Sequence, residues 1–184
     1  MLDRIALITG NSGKAAEYSV MLGIEVTPVK AELTEIQSLN VADVAARKAA
    51  DAYSQLGEPV LVDDTGLAVH AWNGLPGALV AWFLDSVGPQ GILAMAAGLI
   101  DRRAAVTTAL GYATADGLRV FQGTVNGSLA TEPRGTSGFG YDSIFIPDSD
   151  TSRRTYAQMT SEEKNKISHR RHAVEDMRNA LELA

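Results

Sequence analysis

The sequence predicts an α/β protein built on a mixed, elongated β-sheet with flanking helices, and three observations predict it. Short continuous apolar runs alternate with stretches of helical period in the first third of the chain. Two β-rich runs joined by a hairpin signal follow in the second half, and a polar, helical stretch closes the sequence.

The elements follow in order. Residues 5–9 form a short apolar strand that runs into Gly10-Asn11-Ser12-Gly13, after which residues 14–22 have helical composition. Residues 24–29 give a second strand. Val41, Val44, Ala45, Ala49, Ala52 and Leu56 recur at i, i+3 and i+4, which predicts an amphipathic helix delivering the chain to a strand at 59–62. That is a βαβα rhythm. A helix over 92–99 separates the halves, and strands at 105–114 and 118–125 are joined by Ala115-Asp116-Gly117, a hairpin rather than a crossover, so the sheet is mixed. Thr160 with Glu163 three residues on makes a capping box, and one or two helices follow from 162. There is no internal repeat, low-complexity tract or long linker, so residues 1–184 read as a single domain.

Composition narrows the function. With 46% hydrophobic residues in 184, the chain can bury a sizeable core as one domain or two closely packed lobes. A formal net charge of −6 argues against a polymeric nucleic-acid partner, which selects for a basic face. The absence of cysteine excludes disulfides, thiolate nucleophiles and Cys-based zinc sites, and fits a reducing compartment. The N-terminal apolar run is too short for a signal peptide, and no stretch reaches the about 18 apolar residues that suggest a membrane span. The expectation is a soluble, cytoplasmic protein with no membrane partner.

Four segments carry chemistry. In residues 60–67, Asp63 and Asp64 are expected where an apolar strand runs out into a Gly-containing turn, either as turn formers or as a rigid seat for a hard cation such as Mg²⁺. Glu35, in a polar loop, is a second carboxylate of metal-ligating type or a solvated surface residue. Thr9-Gly10-Asn11-Ser12-Gly13-Lys14 is a strand-to-helix turn. Its glycines free backbone N–H groups to face an anion, the helix N-terminus adds partial positive charge, and Lys14 adds a full one. Its spacing is not that of a Walker A loop.

The third segment, residues 135–145, sets Phe139 between Gly138 and Gly140, with Tyr141 and Asp142 following. The glycines allow close backbone approach to a ligand, the aromatic face can stack on a base, and Asp142 can accept from base or ribose donors; a Gly-rich turn with core aromatics is the other reading. The fourth is the closing helical stretch. Between 153 and 178 lie Arg153, Arg154, Lys164, Lys166, Arg170, Arg171 and Arg178 against Glu162, Glu163, Glu175 and Asp176, a local basic excess in an acidic chain that attracts anions or simply solvates a helix face. His169 is a packing residue or a polar contact.

In this order the segments TGNSGK at 9–14 with Glu17 following, EIQ at 35–37, LVDDTGL at 61–67, NGLPG at 73–77, GFGYD at 138–142 and TYAQMTSEEKNKISHR at 155–170 resemble one family, the inosine/xanthosine triphosphate pyrophosphatases that clear deaminated purine nucleotides. The resemblance spans nearly the whole chain. It implies two lobes around a nucleotide cleft, hydrolysis of a purine nucleoside triphosphate between the α and β phosphates with Mg²⁺ as cofactor, and a homodimer. By position, Asp64 is implied as metal ligand and water-activating carboxylate, Glu35 as second metal ligand, and Asp63 as a supporting neighbour. Thr65 is implied to touch substrate, while Lys14, Lys164 and the segment Thr9, Gly10, Asn11, Ser12, Gly13 hold the triphosphate, with Lys48 matching another family lysine across a one-residue gap. Phe139, Gly140, Tyr141 and Asp142 line the base pocket, with His169 and Arg170 at the base edge.

Three positions depart from the family pattern. Ser143 stands where Pro usually follows GFGYD, Arg171-His172 replaces Gly-Lys, and Ala81 occupies the place of a substrate-binding Lys in some members. These leave two alternatives: a related pyrophosphatase acting on pyrimidine or modified nucleotides, and a module that binds purine nucleotides without turning them over.

Overall fold

The computed structural model describes residues 4–9 and 12–182, and for residues 12 and 13 the backbone only. Strands β1 (Arg4–Ile8) and β2 (Glu25–Val29) are parallel, and so is the pairing of β1 with the start of β3 (Val60–Val69). Helices α1 (Ser12–Leu22) and α2 (Val41–Leu56) carry the chain back between them, as parallel pairing requires. The remaining pairings are antiparallel. They involve β4 (Pro76–Gly77), β5 (Arg103–Thr114), β6 (Gly117–Leu129) and β7 (Phe145–Pro147), giving the order β2-β1-β3-β5-β6-β7 with β4 beside β3. The sheet is therefore mixed, and residues 115–116 close the β5–β6 hairpin as expected.

The helix expected at 41–56 is α2, and it buries Val41, Val44, Ala45, Ala49 and Ala52, five of the six positions that predicted it. Asn40 caps its start and Gly57, with φ +68°, ends it. The C-terminal stretch forms two helices, α4 (Ser161–Ile167) and α5 (His169–Leu181). The Thr160–Glu163 capping box starts α4, and the Ser168 side chain accepts from the Arg171 amide to start α5.

Three expectations need correction. The helix read at 92–99 is the second half of α3 (Val80–Met95); it ends at Met95 and begins at Val80, ahead of the expected start, bent at Gly88, whose φ of +67° is non-helical and which is followed by Pro89. The strand read at 59–62 does not run out at the two aspartates but continues to Val69, with Asp63 opposite Leu110 and Asp64 opposite Ala109 on β5. The loop before the first helix is shorter than expected, since residues 12 and 13 already belong to α1.

Packing explains where the site falls. Along β3, Leu61 packs with Ile5, Leu7, Tyr18, Leu22, Val174 and Met177 on the face covered by α1 and α5. Val60 and Val62 pack with Ala49 and Ala52 on the face covered by α2. Side chains of a strand alternate between faces, so the adjacent carboxylates Asp63 and Asp64 leave β3 toward opposite sides of the sheet. A further cluster around Leu67, Ile92, Val106, Phe145 and Tyr156 fills the other end of the molecule beneath α3. At Gly123 an added Cβ would collide with the carbonyl of His169 and the amide of Ala173, so this glycine lets α5 lie directly on β6. None of the helices described is long and apolar enough to cross a membrane.

Candidate active site

The two aspartates of β3 organise two charge clusters. Asp63, 1% exposed, receives three donors on a single oxygen: Tyr18 Oη at 2.6 Å, Lys14 Nζ at 3.0 Å and Arg170 Nε at 3.2 Å. Burial pushes its pKa up, but Lys14, Arg170 and the Tyr18 hydroxyl outweigh burial and hold the carboxyl well below the usual carboxylate range. Arg170 also reaches Glu17 Oε2 at 3.3 Å, so α1, β3 and α5 are joined through one guanidinium.

On the other face, Lys48 of α2 places its Nζ 2.7 Å from Asp64 Oδ2 and 2.6 Å from Glu35 Oε2. Asp64 Oδ1 accepts from the Thr65 amide at 3.1 Å. Burial raises the pKa of Asp64, opposed by Lys48 and reinforced by the charges of Glu35 and Asp63. A raised pKa makes Asp64 the better proton acceptor of the two adjacent aspartates. Glu35 and Asp64 thus converge on one cationic nitrogen, the arrangement a hard divalent cation would also find. Among the described residues no group of three or more His, Asp or Glu is gathered to hold a metal, so the protein's share would be these two carboxylates. That matches Mg²⁺, which is commonly bound by one or two carboxylates with water and phosphate oxygens completing its shell.

The second half of the site is the loop after β6. Asp142, buried, accepts at Oδ2 from the Phe139 amide at 2.8 Å and from Lys164 Nζ at 2.6 Å. Gly138 adopts φ +74°, and an added Cβ would fall on that carboxylate. The loop presents Phe139, 66% exposed, with Lys164 Nζ 5.1 Å and the Arg170 guanidinium 5.9 Å from its ring centre. Behind it, Tyr141 Oη lies 3.0 Å from His169 Nε2, and His169 is buried. Burial, with Arg170 and Lys164 nearby, lowers the His169 pKa to about 3, so the imidazole is neutral near pH 7.

These parts surround a cleft of about 520 Å³. Glu35, Lys48, Asp64 and Thr65 line one end, residues 139–142 with Lys164, His169 and Arg170 line the other, and Ala78, Val80, Ala81, Trp82 and Leu84 form an apolar wall. An acidic pair facing a lysine at one end and an exposed aromatic at the other suits a ligand with a charged tail and a flat ring.

The Ham1 family model matches residues 5–180. The chain belongs to the Ham1 family. It is 42% identical over 174 residues to the inosine triphosphate pyrophosphatase 2 of Trypanosoma cruzi, covering 93% of this chain and 88% of that one. It is 41% identical over 181 residues to the dITP/XTP pyrophosphatase of Thermococcus kodakarensis, covering 97% of each. Among solved structures, a HAM1 protein from Coxiella burnetii superposes with a TM-score of 0.86 at 32% identity, covering 98% of this chain and 99% of that one.

Within this Ham1 chain the residues singled out in the sequence fall as follows. Glu35, Lys48, Asp64, Thr65, Phe139, Gly140, Tyr141, Asp142, Lys164, His169 and Arg170 come together around the cleft. Lys14 stands behind it on Asp63, and Thr9 lines an adjoining cavity. Gly10 and Asn11 lie outside the described residues, and of Ser12 and Gly13 only the helical backbone is described.

The departures separate. Ala81 lies in the cleft wall, while Ser143 serves the loop through its carbonyl, which accepts from the Arg134 amide. Arg171 and His172 do not line the cleft. Arg171 pairs with Glu175 at 2.6 Å one turn along α5, and His172 Nδ1 sits 3.3 Å from the Thr124 carbonyl on β6. Trp82, in the same wall as Ala81, is exposed, whereas Trp72 and Phe83 pack on the core beneath α3.

Sequence reasoning missed Glu17 and Tyr18 as partners in the Asp63 cluster. The signal was present: with Lys14 they fall at i, i+3 and i+4 on one face of α1.

Proposed function

We propose that this chain hydrolyses deaminated purine nucleoside triphosphates, ITP, dITP and XTP, to the monophosphate and pyrophosphate. The observation that carries the reading is the convergence of Glu35 and Asp64 on one cationic point, at the end of a cleft whose other end is the Phe139 loop. Relatives about 40% identical over nearly the whole chain, named inosine triphosphate pyrophosphatase and dITP/XTP pyrophosphatase, support it. In this reading Glu35 and Asp64 would hold Mg²⁺, which would supply positive charge to the phosphates, and Lys48 contacts phosphate.

The remaining work belongs to the chain's own groups. Asp64, on the cleft face of β3 beside Glu35, takes a proton from the attacking water. The water oxygen bonds to phosphorus as the α–β anhydride bond breaks, and the bridging oxygen leaves with pyrophosphate. Lys14, Lys48 and Lys164, with residues 9–13, hold the triphosphate and offset the charge that grows on the leaving group. The base stacks on Phe139, within the wall made by Gly140, Tyr141 and Asp142, and Thr65 touches substrate from β3.

Selectivity follows from hydrogen bonding at the base edge. The 6-oxygen of hypoxanthine and xanthine accepts, so donors from Arg170 and the α4–α5 junction suit it, whereas the 6-amino group of adenine would meet them as another donor. An unmatched buried donor costs on the order of 1–3 kcal/mol, and several together discriminate strongly. A neutral His169, paired to Tyr141, holds that edge without adding charge.

The test is pyrophosphate release from ITP, dITP, XTP, GTP, ATP and dTTP at matched concentration, with Mg²⁺ and with EDTA. Preference for the 6-oxo, non-guanine purines that vanishes in EDTA supports the reading. Turnover centred on dTTP would move the chain to the pyrimidine class, and tight ITP binding without product would make it a sensor. A cytoplasmic homodimer belongs to the same reading; light scattering on the purified protein checks the dimer.

A further inference from the structure

The cleft's cations are already matched by the protein's own carboxylates. Lys48 pairs with Glu35 and Asp64, Lys164 with Asp142, and Arg170 with Asp63 and Glu17. Lys14, behind the cleft, pairs with Asp63. These four cations face five carboxylates, so the site as folded offers a triphosphate no surplus of positive charge. A polyanion bound there needs a cation whose charge is not already neutralised.

Mg²⁺ at Glu35 and Asp64 would bring part of that charge, and among the described residues Lys30 stands where more of it can be supplied. A second cavity of about 460 Å³ shares Glu35 and Lys48 with the cleft and continues along the ends of β1 and β2, where Ile8, Thr9, Leu33 and Lys30 line it. Its place is fixed by the sheet. β1 and β2 run parallel with Ile8 opposite Val29, and the Thr9 amide donates to the Val29 carbonyl at 2.9 Å, so Lys30 follows β2 directly beside the end of β1. Crevices outside the carboxyl ends of parallel strands are where open α/β sheets hold ligands. Lys30 is exposed, and among the described residues no carboxylate forms an ion pair with it.

We infer that Lys30 binds the terminal phosphates of the substrate, so that the pyrophosphate end of the triphosphate lies in the cavity between β1, β2 and Glu35 and the nucleoside end lies against Phe139. This rests on the pyrophosphatase reading above. The geometry separates the two ends of the substrate: Glu35 and Lys48 stand at the boundary, with the Phe139 loop on one side and Lys30 on the other. Lys30 therefore acts on the part of the substrate that leaves as pyrophosphate, where charge grows as the anhydride bond breaks. Exposed, and without an ion pair among the described residues, its ammonium gives up no such pair to make the contact.

The experiment compares wild type with Lys30→Ala, Lys30→Gln and Lys30→Arg, measuring ITP kinetics and inhibition by pyrophosphate and by IMP at low and high salt. The inference expects the Ala and Gln variants to raise the KM for ITP and weaken pyrophosphate inhibition by about tenfold, the scale of one charge-assisted contact at a partly solvated site. IMP inhibition and Tm stay unchanged, Lys30→Arg retains most of the contact, and the difference shrinks as salt rises. Unchanged pyrophosphate inhibition in Lys30→Ala, or equal weakening toward IMP and pyrophosphate, overturns it. Should wild type fail to hydrolyse ITP, the activity reading fails on its own. Calorimetry with pyrophosphate alone then decides Lys30 separately: weaker binding by Lys30→Ala keeps it as a polyphosphate contact, and equal binding removes it.

Discussion

Replacing Asp63 by Asn asks whether one buried carboxylate holds α1, β3 and α5 together. The amide keeps the size of the side chain and one acceptor oxygen but removes the charge on which Tyr18, Lys14 and Arg170 converge. Removing one partner of a buried ion pair costs about 3–5 kcal/mol, because the other charge is left without compensation. Here the loss lies at the lower end: Arg170 keeps Glu17 at 3.3 Å, and the Lys14 side chain is 23% exposed and can rehydrate. With a urea dependence of about 2 kcal/mol per molar, a loss of about 3 kcal/mol moves the unfolding midpoint down by about 1.5 M at pH 7.

The pH dependence gives a second, independent reading of the same contact. Asp63 has a folded pKa held below its unfolded value, so its stabilisation is fully present above the unfolded value and is lost as pH falls toward the folded one. Below an unfolded pKa of about 3.9, the gap between wild type and Asp63→Asn narrows by about 1.4 kcal/mol per pH unit. Urea titrations at pH 7 and pH 3 therefore show a gap about 1 kcal/mol smaller at the lower pH. A midpoint shift under about 0.3 M at pH 7, or a gap that is the same at both pH values, would refute the assignment of Asp63 as the charge that joins these elements.

Other outcomes follow from single contacts. Gly138→Ala places a Cβ on the Asp142 carboxylate at a positive φ, so it is expected to cost more than about 1 kcal/mol and to raise the KM for ITP by displacing Phe139, as thermal unfolding and kinetics would show. Thr160→Ala removes the capping box of α4 and should lower stability by about 1 kcal/mol in urea titration; no change would mean that α4 is held by its packing alone. His169 is neutral in the folded protein down to about pH 3 but protonates near 6.5 when unfolded, so stability falls as pH drops through that window. His169→Gln should remove about 2 kcal/mol of the loss between pH 6.5 and pH 5, and an unaltered slope would place the titration elsewhere.

What the sequence made legible was local. Residues 41–56 carried a helical period that the structure buries at Val41, Val44, Ala45, Ala49 and Ala52, and Ala115-Asp116 marked the hairpin that makes the sheet mixed. What it hid depended on distant partners. A strand that carries two adjacent aspartates through its middle reads locally as a strand that ends. The structure accommodates them because Lys14 and Tyr18 lie about 45 residues earlier, Lys48 lies 16 earlier and Arg170 lies 107 later. Likewise Gly88-Pro89 reads as a helix breaker, yet Pro89 starts the second half of α3 after the bend. Arg171-His172 shows the converse, a departure prominent in sequence whose side chains turn to Glu175 and Thr124, away from the cleft.

The central claim is that Asp64, seated with Glu35 on one cationic point, takes the proton of the attacking water in pyrophosphate release. The most direct test is the turnover of ITP by Asp64→Asn beside wild type in saturating Mg²⁺, with urea unfolding as the check on folding. The account predicts a fall in kcat of at least about 10²-fold, the scale of a lost general base, with the fold intact. A folded Asp64→Asn protein that keeps more than about a tenth of wild-type turnover would contradict it.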